Sequence, residues 1–304
     1  MPRKNTTPAT NLSWVRRSSS RILPDRRPVN SLHSTPITGA KSCNGHGWVR
    51  LAFRAALGHR LVSCDLSQIE LRVLAHLSKN KAMIDVFRKG RDPHAETAHR
   101  LFGAPKAKED QDESQHRLPA KKGNFGAFMG LSPTGLTEQV RAGGNIAWAA
   151  GCPGCADPRA EHQTGCASVE FFREYFRLYQ GVKQYIQDRH AEARRTGAVL
   201  DLYGRRIDCS GVCSNAPRIV RDAERIAQAT PVQASADGIS KEWMARIWSR
   251  LIKPAHRAGN GYCEPWARVH DDTLLEVSRP LAQGVRRQML AMVPQRLCVE
   301  TTAE

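Results

Sequence analysis

No stretch of this sequence is long and apolar enough to span a bilayer, and its opening, MPRKNTTPATNLSWV, lacks the apolar core of a secretory signal. Export and membrane insertion are therefore not expected. Acidic residues are scarce: 29 Asp and Glu stand against 46 Lys and Arg, a formal charge of +17 over 304 residues. So large a deficit points to a polyanionic partner, with nucleic acid ahead of a membrane surface. An even cysteine count is also missing. Nine cysteines in a chain without an export signal favour reduced thiols or metal ligands over a disulfide framework. There is no internal repeat and no long low-complexity tract. What is present suffices for one large domain or two modest ones.

Residues 1–45 are rich in Ser, Thr, Pro and Arg without sustained periodicity, and read as a loosely ordered basic arm. From Trp48 the pattern tightens into short strand-like pieces with a turn at Gly58, and Leu61 to Cys64 read as a buried strand that ends at Asp65. Apolar residues at Ile69, Leu71, Leu74, Leu77 and Ile84 predict helical packing over 67–89. Pro93 in a first turn and Gly103 as a stop bracket another helix. A polar stretch over 106–115 reads as a loop or an exposed helix start. Further on come a helical block over 167–197 interrupted at Gly181, a hairpin near 198–206 and a helix over 218–250 broken at Pro231. Two short strands then flank the acidic pair Asp271 and Asp272, and a closing helix covers 279–292. Helices with a few strands far apart in sequence make an α+β layout.

The acids at 271 and 272 interrupt an apolar strand pair. A turn explains one Asp, through side-chain bonds to its own backbone. Two adjacent acids between Val269 and Leu274 call for a partner, because burying either one unpaired is costly. Mg²⁺ is the natural candidate, since it takes carboxylate oxygens together with substrate phosphates. Asp65, at the end of its own strand, could supply the matching carboxylate from across a sheet. Two metals about 4 Å apart would activate an attacking oxygen and steady a leaving phosphate. Two unrelated acidic turns are the alternative.

In RLPAKKGNFGAFMG, Arg117, Lys121, Phe125 and Met129 recur at every fourth residue. Each step advances about 40° around a helix, so the four share one broad face. Two cations and an aromatic there suit a triphosphate and a base; a solvated basic face is the competing reading. Pro119 fits only near the start of such a helix. Gly123, Gly126 and Gly130 cost about 1 kcal/mol each relative to Ala inside it, which argues for close approach or movement. Separately, Cys152, Cys155, His162 and Cys166 give C-x2-C-x6-H-x3-C, close to a compact zinc spacing. A loop with reduced cysteines is the alternative. Cys209 and Cys213 form no such set.

Together, DLSQIELR (65–72), RLPAKKGNFGAFMG (117–130) and VHDD (269–272) resemble motifs A, B and C of the family A DNA polymerases. DPHAETAHRLFG, LYGRRI and RDAERIAQATPVQASADGISKEWM resemble connecting segments of that family, so the likeness runs from about Trp48 nearly to the C-terminus. It implies a right-hand polymerase: an antiparallel palm sheet, helical fingers, and a thumb and exonuclease expected to be absent. The implied segments are the arm over 1–45, the first palm part over 46–90, fingers over 91–200 with the Cys/His loop at 142–166, and the second palm part over 201–304.

The resemblance implies template-directed addition of dNMP from dNTP to a primer 3′-OH, with two Mg²⁺ ions held by Asp65 and Asp271. Asp272 stands where cellular members carry Glu. Lys121 corresponds to a proton donor to pyrophosphate, and Arg117 to its companion on the triphosphate. Gln68, Glu70, Phe125 and Met129 fall at nucleotide-binding positions, Glu70 as the gate against a ribose 2′-OH and Met129 in place of Tyr. Arg225, Gln233 and His270 fall at DNA-contacting positions, and Ala229 replaces an Asn. Arg17 is the match to an Arg- and Ser-containing motif ahead of motif A. The departures from cellular members imply a phage-type version, working in bacterial or phage-infected cytoplasm. Primer-template DNA, dNTPs and a separate subunit supplying thumb or exonuclease are the implied partners. A non-catalytic DNA-binding subunit of a split polymerase is the alternative. A single-subunit RNA polymerase is a further one, against which Glu70 argues.

Overall fold

Residues 54–157, 159–259 and 263–304 are described by a computed structural model; the expected arm over 1–45, Arg17 and the strand-like pieces before residue 54 lie outside them. The first strand, β1 (His59–Asp65), stops at the acid. The predicted helical stretch over 67–89 divides into α1 (Ile69–Ser78) and α2 (Lys81–Arg88). Cap chemistry makes the break. Lys79 adopts a left-handed φ of 50°, and the Asn80 side chain accepts from the Met83 backbone N–H at 2.9 Å. Helix α3 (Pro93–Phe102) is bracketed as its sequence predicts: Asp92 accepts from the N–H groups of His94 and Ala95, and Gly103 closes it at φ 66°.

Next come α4 (Leu118–Met129) and α5 (Pro133–Ala142), followed by a long irregular stretch that holds a four-residue helical turn, Pro153–Ala156. The block over 167–197 becomes α6 (Ala167–Leu178) and α7 (Gln180–Thr196), parted at Tyr179 and not at Gly181. Gly181 serves close approach instead: a Cβ there would sit 2.9 Å from the Ser78 carbonyl oxygen and 3.0 Å from Cα of Asn80. Strands β2 (Ala198–Leu200) and β3 (Arg206–Asp208) form the expected antiparallel hairpin.

Helix α8 (Pro217–Ile247) passes through Pro231, where the sequence predicts a break. A proline inside a helix costs roughly 3 kcal/mol. Full burial of Ala227, Val232, Ser235 and Ile239 around it offsets that loss. The chain closes with α9 (Lys253–Ala258), β4 (Cys263–Val269), β5 (Asp272–Ser278) and α10 (Ala282–Ala291).

These elements form two compact units. The first contains the described residues of 1–67, 240–294 and 302–304. Its sheet is antiparallel in the order β1-β5-β4. On the central strand Thr273, Leu275 and Val277 are buried in alternation, as expected of a strand with one face on a core. Trp243, Ile247 and Met289 lie in the core beside them, and the Trp243 indole N–H donates to the Met289 carbonyl at 2.8 Å. The second unit, 68–239 with 295–301, is helical apart from its small hairpin. Residues 68–90 and 201–239, grouped with palm segments on sequence grounds, cluster with this second unit. Mixed helices and purely antiparallel strands make the chain α+β. Among the described residues no helix is long and apolar enough to cross a membrane.

Candidate active site and a Cys/His cluster

Within the first unit, three carboxylates meet at one end of the sheet. The register sets Asp65, the last residue of β1, opposite Asp272, the first of β5, which is also paired with Val269 of β4. His270 and Asp271 make the turn between β4 and β5, and His270 adopts a φ of 56°. A non-glycine residue in that region typically stores about 1–3 kcal/mol and persists where its surroundings require it. The Ser63 hydroxyl donates to Asp272 Oδ1 at 2.6 Å and so fixes that carboxylate.

Asp65 keeps one side open to solvent, yet its carboxyl is pushed up to about 7. Burial of its inner side is the first cause, followed by the charges of Asp271 and Asp272 and a hydrogen bond with Asp271. The backbones of Asp65 and Glu304 pair at 2.9 and 3.1 Å, so Glu304 adds a further negative charge. Nothing in the local sequence pattern signals that contribution. A donor set that raises its own proton affinity through crowding suits a divalent cation, which would relieve the repulsion.

Within the second unit, α4 carries the basic and aromatic face. Pro119 sits in its first turn, and Gly130 ends it at φ 72°. Gly123 is required by close approach, because a Cβ there would fall 2.0 Å from the Phe171 ring. Lys121, Phe125 and Met129 line a cleft of about 350 Å³ together with Lys122, Gln139 and Arg225. Arg117 precedes the helix, at the end of a wide turn over Glu113–Arg117, and does not line the cleft. Its guanidinium pairs with Asp92 at 3.2 Å and Glu113 at 3.3 Å. The Phe125 ring lies against His94, with centroids 5.6 Å apart.

Behind α4 is a buried polar network that periodicity does not reveal. Asn124 donates toward His94 Nδ1 at 2.9 Å and accepts from the Thr97 hydroxyl at 3.1 Å, and Thr97 also meets the Tyr179 hydroxyl at 2.9 Å. Burial pushes the His94 imidazole down to about 4, so it is neutral near pH 7. Gln228 on α8 donates to the Phe128 carbonyl at 3.0 Å and holds α8 beside α4, which brings Arg225 to the cleft.

Four nucleotide- and DNA-site candidates remain. Gln233 is exposed on α8 and His270 is exposed at the β4–β5 turn. Gln68, just before α1, adopts a left-handed φ of 50°, and Glu70 lies half-buried in the first turn of that helix.

Apart from these groups, Cys152, Cys155, His162 and Cys166 converge, with one ligand atom from each lying within 4.8 Å of the others. The three cysteines are buried. His162 Nδ1 lies 3.5 Å from Sγ of Cys152, 3.5 Å from that of Cys155 and 3.7 Å from that of Cys166.

Comparisons with known proteins cover most of the chain. The model of the family described as DNA polymerase family A matches residues 32–302. The thermostable DNA polymerase I of Thermus aquaticus is 34% identical over 239 residues, 79% of this chain and 25% of that protein. DNA polymerase I of Pseudomonas aeruginosa is 33% identical over 255 residues, 84% of this chain and 24% of that protein. The chain thus spans about a quarter of the length of these relatives. A solved structure, the POL domain of Pol1 from M. smegmatis in complex with DNA primer-template and dNTP, superposes with a TM-score of 0.64 at 29% identity, covering 83% of this chain and 40% of that one.

Proposed function

Because the chain belongs to DNA polymerase family A, we propose that it extends a primer on a DNA template, transferring dNMP from dNTP to the primer 3′-OH. The observation that carries this reading is the meeting of Asp65 with Asp271 and Asp272 at the sheet end, where crowding drives up the proton affinity of Asp65. In this proposal Asp65 and Asp271 hold two Mg²⁺ ions. Bound there, the ions would lower the proton affinity of the 3′-OH and neutralise charge on the phosphates. Asp272, anchored by Ser63, completes the anionic end of the sheet.

The reaction is an in-line displacement. The 3′ oxygen forms a bond to the α-phosphorus, the bond from that phosphorus to the bridging oxygen breaks, and pyrophosphate leaves. Lys121, exposed on α4, lies toward the triphosphate and returns a proton to the leaving pyrophosphate. Arg117 is oriented for a phosphate contact by Asp92 and Glu113, and exchanges part of that ion pairing for the substrate. Phe125 and Met129 form the apolar floor of the cleft, where a base would stack. Glu70 and Gln68 lie beside the sugar, with Glu70 excluding a 2′-OH. Arg225, Gln233 and His270 face primer-template DNA. On this reading the first unit is the palm and the second unit is chiefly fingers.

A primer-extension assay with Mg²⁺ tests the proposal. Asp65→Ala and Asp271→Ala are each expected to abolish extension while leaving primer-template binding largely intact. Extension near the parental rate in either variant refutes the carboxylate assignment. Binding without extension in the parent chain itself selects the non-catalytic alternative.

A further inference from the structure

We propose that Cys152, Cys155, His162 and Cys166 bind one structural Zn²⁺ that fastens the irregular stretch between α5 and α6 to both helices. The argument begins with what hydrogen bonding cannot do. His162 Nδ1 faces three sulfurs at 3.5–3.7 Å, but an imidazole nitrogen offers one proton or one lone pair, not three. The 3.4 Å between Sγ of Cys155 and Sγ of Cys166 is far longer than a disulfide bond and tighter than two idle thiols need to be. A single cation at the centre accounts for all four contacts. With Zn–S near 2.3 Å and Zn–N near 2.0 Å, the edges of a zinc tetrahedron are about 3.8 Å between sulfurs and about 3.5 Å between sulfur and nitrogen. The sulfur–nitrogen spacings of 3.5–3.7 Å match their edge, and the 3.4 Å between Sγ of Cys155 and Sγ of Cys166 is about 0.4 Å short of its own.

The backbone is shaped for the same purpose. Cys152 stands immediately before the helical turn Pro153–Ala156 and Cys155 lies within it, and the Cys155 N–H donates to the Cys152 carbonyl at 3.1 Å. Gly154 lets the His162 segment cross directly over that turn, since a Cβ would fall 2.7 Å from the His162 backbone nitrogen. Cys166 stands immediately before α6. Second contacts then secure the ligands. The Thr137 hydroxyl of α5 donates to Cys155 Sγ at 3.1 Å, and Thr134 donates to the Gly154 carbonyl at 2.8 Å. Ser168 of α6 meets Thr137 at 2.7 Å and accepts from the Trp148 indole at 2.7 Å. Metal ligands held in this way by outer hydrogen bonds are typical of built sites.

Four protein ligands leave no open position, so the ion would be structural and not catalytic. Three thiolates and an imidazole in tetrahedral array favour zinc over the hard cations that suit the carboxylate site. The ion replaces the regular secondary structure that this stretch lacks, and it ties α5, whose Gln139 lines the cleft, to α6.

The full chain, purified under reducing conditions without chelator, is expected to carry about one zinc per chain by elemental analysis. Cobalt exchanged into the site should give the intense visible bands of tetrahedral thiolate coordination. A strong chelator should lower the melting temperature and accelerate amide exchange across α5 and the start of α6, and added zinc should reverse both. Cys166→Ser should lose the metal, whereas Cys213→Ser, outside the cluster, should keep it. Should Cys166→Ser fail to fold, chelation and zinc return on the parent protein still decide the matter. Parent protein that contains no zinc and takes up neither zinc nor cobalt overturns the proposal, as does iron in place of zinc. None of these readings depends on primer extension, so the site stands or falls apart from the polymerase assignment.

Discussion

Replacing Gly123 with Ala would set a methyl carbon 2.0 Å from Cε1 and 2.1 Å from Cζ of Phe171. That ring has nowhere to go. It is 2% exposed and packed against Phe102, Phe172 and Tyr175, with centroid separations of 6.0, 5.6 and 5.8 Å. Ordinary carbon contacts need about 3.5–4 Å, so α4 and α6 would have to part by more than an ångström or so. Overpacking of this kind costs about 1–3 kcal/mol. Ala in place of Gly within a helix returns up to ~1 kcal/mol, so the net loss alone is an ambiguous readout.

Gly284 of α10 removes the ambiguity. A Cβ there meets nothing within 4 Å, and Gly284→Ala should stabilise by the propensity term alone. The difference between the two substitutions isolates the clash, at about 1–3 kcal/mol. Urea unfolding of the full chain followed by fluorescence measures it, and Gly123→Ala in a Phe171→Leu background should recover most of the loss. If Gly123→Ala gains as much stability as Gly284→Ala, the close approach that explains this glycine is wrong.

Two further predictions concern His94, which packs behind α4, and Met129 at its end. Because burial holds the His94 imidazole down to about 4, the unfolded chain takes up a proton near pH 6.5 that the folded chain refuses. The His94 contribution is therefore complete above pH 6.5 and falls by up to about 1.4 kcal/mol per pH unit from there toward pH 4. Unfolding midpoints of parent and His94→Gln at pH 7 and pH 5 should show a shallower acid loss in the variant, and equal losses would refute the assignment. At the proposed nucleotide site, Met129 has a thioether that cannot donate a hydrogen bond, whereas a Tyr hydroxyl can. Met129→Tyr should raise the dNTP:rNTP incorporation ratio several-fold, the worth of ~1 kcal/mol, and Glu70→Ala should lower it strongly. An unchanged ratio in Glu70→Ala removes the gate role.

Local signals were readable where a residue breaks its own pattern. Asp271 and Asp272 interrupt an apolar alternation, Pro93 and Gly103 bracket a helix, and the four-residue recurrence of Lys121, Phe125 and Met129 survives as one wall of a cleft. Arg117 keeps the recurrence but not the location, because a wide turn and the Asp92 carboxylate redirect it. Gly181 and Pro231 were misleading for a common reason. Each has an intrinsic preference against helix, and each is overruled by neighbours distant in sequence: the backbone at Ser78 and Asn80 for the one, buried side chains along α8 for the other. Gln139, Gln228 and Glu304 gave no signal at all, since their parts arise only from tertiary contact.

The pairing of β1 with β5 bears on how the chain acquires its structure. Asp65 leaves the ribosome long before Asp272, and closing a loop of roughly two hundred residues costs entropy that nothing near β1 can return. The second unit is almost continuous in sequence and can condense from local helix contacts while β1 waits unpaired. The strand that carries the first carboxylate is thus made before the helical unit and seated after it. A ribosome-stalled chain ending before Cys263 would hold a folded helical unit and an unmade carboxylate site. The basic cleft would then exist before the carboxylates of Asp65, Asp271 and Asp272 are brought together.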